Sequence, residues 1–351
     1  MPKPTEKSPF MEGIPGATRS IKVKPGEAGK SGLPYYNPRA GLRAKKALLT
    51  RYEYNPILTG KDFPGDIQTV FNSSVIKKPN GDYVMVCRCE DSALGRYLWV
   101  ADSKDGIHFK PRPKPLPMPM NDPIFREYVN GTVSYYDPRV TRIGDKYYMT
   151  HNAHTKHQCQ LGLFEIDKGF NRLQWLGLIS GPDNRNGVLF PEKIGGKYWR
   201  LDRPNVGTYD IWAASSPDLI HWGGHRCVVR RDAVRWADAK IGAGAVPIKT
   251  KWGWLCIIHA VRIQCTDYVY SLGCMLLDLK DPTKVLGLSQ RALLDPKENY
   301  ELLGQALSVV FTTGAVAEPD CSVKVYYGGA DTVQCLAIGD LQELVWSCLN
   351  E

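Results

Sequence analysis

Short apolar runs alternate with turn residues along the chain, and one arrangement of the two recurs. In NGDYVMVCRCED (80–91) a Gly-containing turn leads into a run of β-forming residues that ends in charged ones. The same order returns in IGDKYYMTHNAH (143–154), IGGKYWRLDRP (194–204), KWGWLCIIHAV (251–261) and the more diverged CSVKVYYGGADT (321–332). Each follows another strand-like run: FNSSVIKK, YYDPRVTRI, VLFPEKI, GAVPIKT and TGAVAEP in turn. Two β-forming runs joined by a Gly-bearing turn define a hairpin, so the pattern predicts five of them. SKDGIHF (103–109) and SSPDLIHW (215–222) form a second repeat, about two hairpin units apart. Corresponding hairpins recur roughly every 50–70 residues, and no amphipathic helix is evident between residues 60 and 340, which fits radially arranged four-stranded blades. The expected fold is all-β: a five-bladed β-propeller over residues 51–351, preceded by an arm over residues 1–50 that contains a short helix.

Composition supports this reading. Thirty-three Gly and twenty-five Pro among 351 residues, with no repeating triplet, agree with many turns between short strands. Hydrophobic residues at 43% are enough for a large core. No apolar run approaches the roughly 18 residues of a membrane span, so no membrane partner is expected. Of ten cysteines, Cys87, Cys89, Cys256 and Cys274 fall inside apolar runs. Reduced core thiols are expected and, with no signal-peptide pattern, a cytoplasmic location. Cys87 and Cys89 are one residue apart, and His151, His154 and His157 are read as one polar loop. Neither spacing is that of a zinc site, so no metal is expected.

The formal net charge of +9 raises the question of nucleic acid. Residues 1–50 hold ten Lys/Arg against three Asp/Glu, a surplus of seven, which leaves two for the rest of the chain. The body is nearly neutral, and no nucleic-acid partner is expected. The basic arm, with NPRAGLRAKKALLTRY as its helix-compatible part, is read as packing on a neighbouring subunit, hence a homo-oligomer.

In a propeller the equivalent strand ends of all blades converge on a central channel. Here the second strands end in Arg88/Glu90/Asp91, His151/Asn152, Asp202/Arg203, His259 and Asp331/Thr332. The first strands carry Asn72, Tyr136/Asp137/Arg139 and Lys240, with Arg185/Asn186 just upstream of a strand at 188–194. A polar funnel so rich in cations suits an anion held beside a polyhydroxy ligand, because Arg and Lys recognise phosphate while a neutral sugar needs neither. Trp99, Trp199, Trp212, Tyr268 and Tyr270 are candidates to stack on sugar faces. Glycosidic cleavage by water ordinarily takes two carboxylates. Cleavage by phosphate takes one acid and several cations, since phosphate is already the nucleophile.

Ordered motifs in every proposed blade carry a resemblance: RYEYNPILT (51–59), FNSS (71–74), RCED (88–91), YYDPRV (135–140), RNGVLFPEKIGGKYWRLDRP (185–204), KIGAGAVPIKTKWGWLCIIHAV (240–261), LLDLKDP (276–282) and YYGGADT (326–332). Over residues 50–345 or so the chain resembles glycoside hydrolase family 130, the β-mannoside phosphorylases and related hydrolases on five-bladed propellers. The resemblance implies inverting phosphorolysis of a β-mannoside to α-mannose 1-phosphate, with inorganic phosphate as co-substrate and no cofactor. It implies that Asp137 is the single catalytic acid, protonating the leaving oxygen through the mannose 3-hydroxyl. It implies phosphate binding by Arg185, Asn186, Arg203, Lys240 and His259, with Tyr270 a further contact. Asn72, Ser73, Arg88, Asp91 and Asp331 match positions lining the mannose pocket.

FNSS and IIHAV depart from the family's usual strands without removing a charged partner. The polar leader resembles the longer arms of the mannosylglucose-phosphorylase branch. Two other readings stay open: a hydrolase on the same propeller with Glu90, Glu192 or Glu318 as base, and a non-catalytic sugar-binding propeller. The Pro-rich stretch 110–131 is expected to border the acceptor sugar.

Overall fold

The computed structural model describes residues 47–93, 95–121, 134–155, 157–265 and 267–350. The arm up to residue 46, with its expected helix, and residues 122–131 of the Pro-rich stretch lie outside them. The expected arm ends at residue 50, whereas the first described strand, β1 (Leu49–Arg51), already belongs to the propeller.

Four-stranded antiparallel blades follow one another. Blade 1 is β2 (Ile67–Lys77), β3 (Tyr83–Asp91), β4 (Arg96–Ser103) and β5 (Lys110–Pro111). Blade 2 is β6 (Ser134–Ile143), β7 (Lys146–Thr155), β8 (Gln158–Ile166) and β9 (Leu173–Leu178). Blade 3 is β10 (Asn184–Leu189), β11 (Tyr198–Pro204), β12 (Ile211–Ser216) and β13 (Gly223–Val229). In blade 4 the first strand is split into β14 (Lys240–Ala243) and β15 (Ile248–Lys249), which both pair with β16 (Trp254–Ile263), followed by β17 (Tyr268–Leu277) and β18 (Val285–Leu288). Blade 5 combines β19 (Val310–Ala317), β20 (Ser322–Gly329) and β21 (Val333–Asp340) with β1 as its outer strand. The two ends of the described chain thus share one sheet, which closes the ring.

The five repeated runs form β3, β7, β11, β16 and β20, the second strand of each blade. Buried apolar side chains gather into five clusters, one between each pair of neighbouring blades. Alternation puts successive side chains of a strand on opposite faces, and both faces of a blade are covered, so the runs are almost wholly apolar. Cys87, Cys89, Cys256 and Cys274 are buried there as thiols, and burial pushes the Cys87 thiol up to about 12. The Ser-Asp-Ile-His repeat builds the turn between third and fourth strands: Asp105 and Asp218 each accept two backbone amides and approach the ring of the following His at 2.7 Å.

Several local expectations are corrected. Arg185 and Asn186 lie on β10 itself, because that strand ends at Leu189, ahead of Pro191, which has no amide for the ladder. His151 and His154 are on β7 rather than in a loop, and His151 is buried against Phe164 and Trp175. Two helices are described, α1 (Asn299–Leu302) and the C-terminal α2 (Leu341–Leu349). Asp340 caps α2 by accepting the amides of Gln342 and Glu343 at 2.8 and 2.9 Å, and the helix covers the outer edge of blade 4.

Bulges position the site. The innermost strands of three successive blades lose register at Phe71/Ser74, Tyr136/Arg139 and Arg185/Val188. Asn72, Asp137 and Asn186 sit in those bulges with φ of 47°, 54° and 57°. The left-handed region disfavours side chains generally and tolerates Asn and Asp best. Each bulge turns its polar side chain out of the ladder and into the channel.

Candidate active site

One cavity of about 310 Å³ opens at the channel end where the bulges meet. On one side Asp137 is nearly buried and both its carboxylate oxygens are occupied. Asn72 Nδ2 (3.0 Å) and Arg88 Nη1 (2.9 Å) donate to Oδ1, and Asn152 Nδ2 (3.1 Å) donates to Oδ2. Two blades therefore fix one carboxylate, Asn72 and Arg88 from blade 1 and Asn152 from blade 2. Arg88 is itself held between the rings of Phe71 and Tyr136, with centroids 4.2 and 4.9 Å from its guanidinium carbon. Its other edge donates to Glu90 Oε1 at 3.1 and 2.7 Å. Asp331, at φ 50°, lines the same side. Burial pushes its carboxyl up to about 6, the charges of Asp137 and Glu90 add to the shift, and Arg88 offsets it only in part.

The other wall is cationic. Arg185, Asn186, Arg203 and Tyr270 line the cavity. Lys240 stands beside it, its Nζ 4.5 Å from the ring centroid of Tyr268, another lining residue. Burial lowers the Lys240 pKa, and repulsion from Arg203 and Arg185 lowers it further. Arg203 is held down by burial and by Arg185 despite the opposing influence of Tyr270. Among the described residues the one carboxylate within ion-pair distance of Arg185 is Asp183, at 3.9 Å. Behind this wall His259 is fully buried, its Nε2 3.2 Å from Arg203 Nη1 and 3.4 Å from Asn186 Nδ2. Arginine can only donate, so Nε2 is the acceptor and the ring proton is on Nδ1. Burial holds the imidazole neutral, far below its ordinary range, and Arg203, Arg139 and Lys240 reinforce this. A Cβ on Gly242 would fall 2.5 Å from His259 and 2.7 Å from Asn186, so only glycine lets β14 pass here.

Most residues expected at the site are therefore brought together, with three differences. Asp91 does not reach the cavity. It follows Glu90 by one residue and so faces away from it, where Gly95 N, Ala93 N and Tyr97 OH donate to its carboxylate. Ser73 is fully buried outside the cavity and ties blade 1 to blade 5, its amide donating to Gln334 Oε1 at 3.1 Å. His259 supports the cationic wall from behind rather than facing the cavity.

The acids weighed as hydrolytic bases are engaged elsewhere. Glu90 holds Arg88, Glu192 pairs with Lys249 at 2.6 Å, and Glu318 pairs with Lys77 and Lys324. Trp99, Trp199 and Trp212 do not line the cavity, whereas Tyr268 and Tyr270 do. Asn152 and Tyr136 were recognisable only as polar strand ends, although Asn152 completes the grip on Asp137. Asp267, Ala306, Leu307, Val309 and Phe311 complete the lining, the last four carrying no sequence signal beyond hydrophobicity. Among the described residues no His/Cys/Asp/Glu group is arranged to hold a metal ion, and no helix is long and apolar enough to cross a membrane.

A propeller whose channel sets one tightly held acid against a wall of mutually repelling cations is the framework of a carbohydrate-processing enzyme that handles an anion. The chain belongs to glycoside hydrolase family 130: residues 48–349 match the family model described as beta-1,4-mannooligosaccharide phosphorylase. It is 34% identical over 309 residues to the beta-1,4-mannooligosaccharide phosphorylase of Ruminococcus albus, covering 86% of this chain and 90% of that one. The structure of the beta-1,2-mannobiose phosphorylase of Listeria innocua, solved with beta-1,2-mannobiose, superposes with a TM-score of 0.75 at 30% identity, covering 86% of this chain and 99% of that one. The 4-O-beta-D-mannosyl-D-glucose phosphorylase of Bacteroides fragilis is 27% identical over 94% of this chain and 88% of its own.

Proposed function

We propose that this protein is a β-mannoside phosphorylase, transferring a mannosyl group to inorganic phosphate to give α-mannose 1-phosphate and the shortened sugar. The observation that carries the reading is the wall of Arg185, Arg203 and Lys240, which repel one another; among the described residues Arg203 and Lys240 have no carboxylate within ion-pair distance and Arg185 has only Asp183, at 3.9 Å. Such a cluster is favourable only when an anion is bound. Asp137 faces it across the cavity as the general acid, and phosphate attacks the anomeric carbon from the opposite face of the sugar, inverting it. Asn72, Arg88 and Asn152 orient the acid. Asp331, raised towards neutrality, serves the mannosyl hydroxyls. Arg203 and Arg185 contact phosphate, Asn186 and Tyr270 direct it, and neutral His259 fixes Arg203.

The relatives are named for both β-1,4 and β-1,2 linkages, so the linkage is chosen by the acceptor side of the cavity, opposite the cationic wall. Buried thiols support an intracellular setting, and the basic arm is the part of the chain suited to subunit contacts. The test is product analysis with β-1,4-mannobiose, β-1,4-mannosyl-glucose and β-1,2-mannobiose, each with and without phosphate. Phosphate-dependent mannose 1-phosphate is expected from at least one. Free mannose released at an equal rate without phosphate would replace the reading with hydrolysis.

A further inference from the structure

Arg139 is unusual in a way that phosphate binding and acid catalysis do not yet explain. It lies two residues beyond Asp137, just past the bulge, and only 1% of it is exposed. Every edge of its guanidinium meets a neutral oxygen. Nε donates to Gly244 O (2.8 Å), Nη1 to Asp137 O (3.1 Å), and Nη2 to Asn186 Oδ1 and Ala243 O (both 3.4 Å). No carboxylate lies within ion-pair distance of it among the described residues, and the oxygens of Asp137 are already taken by Asn72, Arg88 and Asn152. A buried charge without a counter-ion is costly, and Arg is ordinarily buried only when paired. Burial depresses the pKa of Arg139 to about 10, Asp137 opposes the shift and Arg203 deepens it. The group is still a cation at neutral pH.

We infer that Arg139 is a positioning residue for phosphorolysis, its guanidinium bracing the bulge that aims Asp137 while its uncompensated charge stands behind the phosphate subsite through Asn186. The inference rests on the phosphorylase reading above. One fork spans both halves of the site. The bond to the Asp137 carbonyl fixes the backbone that presents the acid. The bond to Asn186 Oδ1 turns that amide so that its NH₂ faces His259 and the cavity wall. The bonds to Gly244 and Ala243 anchor both to blade 4. Bound phosphate supplies the negative charge that the buried cation lacks.

The experiment compares the full-length protein with its Arg139→Lys and Arg139→Met variants. Inorganic phosphate is titrated calorimetrically, rates of mannose 1-phosphate formation are measured over a range of phosphate, and melting temperatures are recorded. Lys keeps the charge but cannot span the Asp137 carbonyl and the Asn186 amide together. It should bind phosphate within about threefold of wild type and turn over at least about tenfold more slowly. Met keeps the volume and loses both functions, so phosphate should bind about tenfold more weakly or worse, with turnover lower still. Wild-type phosphorolysis with an Arg139→Met variant within twofold in affinity and turnover would overturn the inference alone. Failure of both variants to fold would make Arg139 a structural residue and overturn it too. A wild-type protein that makes no sugar phosphate would overturn the phosphorylase reading and this inference with it.

Discussion

Replacing Lys240 by Gln removes one positive charge from the cationic wall while keeping most of the side chain's length. Two unit charges about 4 Å apart attract by roughly 4 kcal/mol at an effective dielectric near 20. Phosphate carries more than one charge at neutral pH. Lys240 is half-buried, so solvent screening and the cost of desolvating the ammonium take back more than half of that attraction. About 1.5–3 kcal/mol remains, a tenfold to hundredfold rise in the phosphate KM. The charge acts on phosphate before and during transfer alike, so kcat at saturating phosphate should stay within about threefold. The assay is mannose 1-phosphate formation at saturating mannoside over a wide range of phosphate. Thermal denaturation supplies a second readout. Without phosphate the variant should melt no lower than wild type, because the lost cation was repelled by its neighbours, whereas added phosphate should stabilise wild type more. A phosphate KM within twofold of wild type would refute the electrostatic reasoning.

Asp137→Asn should lower turnover by at least about a hundredfold, as for loss of a general acid, with the phosphate KM little changed; retention of a tenth of wild-type turnover would remove Asp137 from that role. Asp331→Asn tests the raised carboxyl: folding lifts this pKa from 3.8 to about 6, so the native state holds a proton that the unfolded chain releases in that window, and stability falls as pH rises through it. The variant should therefore gain about 3 kcal/mol over wild type at pH 7.5 and almost nothing at pH 3.5, and equal melting differences at the two pH values would contradict the shift. Glu301 is fully buried and accepts from Arg51, Tyr327 and two backbone amides. Removing its charge in Glu301→Gln leaves Arg51 unpaired where β1 closes the ring, so stability should drop by about 3 kcal/mol in denaturant unfolding, and a change under 0.5 kcal/mol would show that the closure does not depend on this pair.

The five second strands were legible because they combine two strong signals, a Gly-bearing turn and an unbroken β-forming run buried on both faces. β1 was not, since three residues carry no periodicity and gain their place by pairing with β21. α2 was missed although Asp340 and Glu343 spell a helix start, because its apolar residues continue the pattern of the preceding strand. At the site, Asp137, Arg185 and Arg203 were found through the clustering of charge at strand ends. Asp91 was misplaced because a run of neighbouring charges, RCED, hides the alternation that sends Glu90 and Asp91 to opposite faces. The role of His259 as a buried support depends on its reach between Arg203 and Asn186, which brings strands from two blades together and leaves no local trace.

Bulges explain why this fold makes such a site. A regular inner strand would point alternate side chains at the two neighbouring blades and present only backbone edge to the channel. Inserting an extra residue in the left-handed region breaks that rule once in each of blades 1, 2 and 3 and aims one polar side chain along the axis. Asn72 and Asn186, the bulge residues of blades 1 and 3, flank Asp137, that of blade 2. Asn72 donates to the acid directly, and Asn186 is linked to it through Asn152, whose Oδ1 accepts the Asn186 amide at 3.1 Å. Backbone strain of this kind persists only where the surroundings over-determine it. Here they do so with the hydrogen bonds of Arg139 and with Ser74 Oγ, which accepts the Val140 amide at 2.8 Å across blades 1 and 2. The acid and the anion wall are therefore not two features placed side by side on a scaffold. They are consecutive turns of one distortion, and a substitution that relaxes the bulge of one blade should disturb the groups presented by its neighbours.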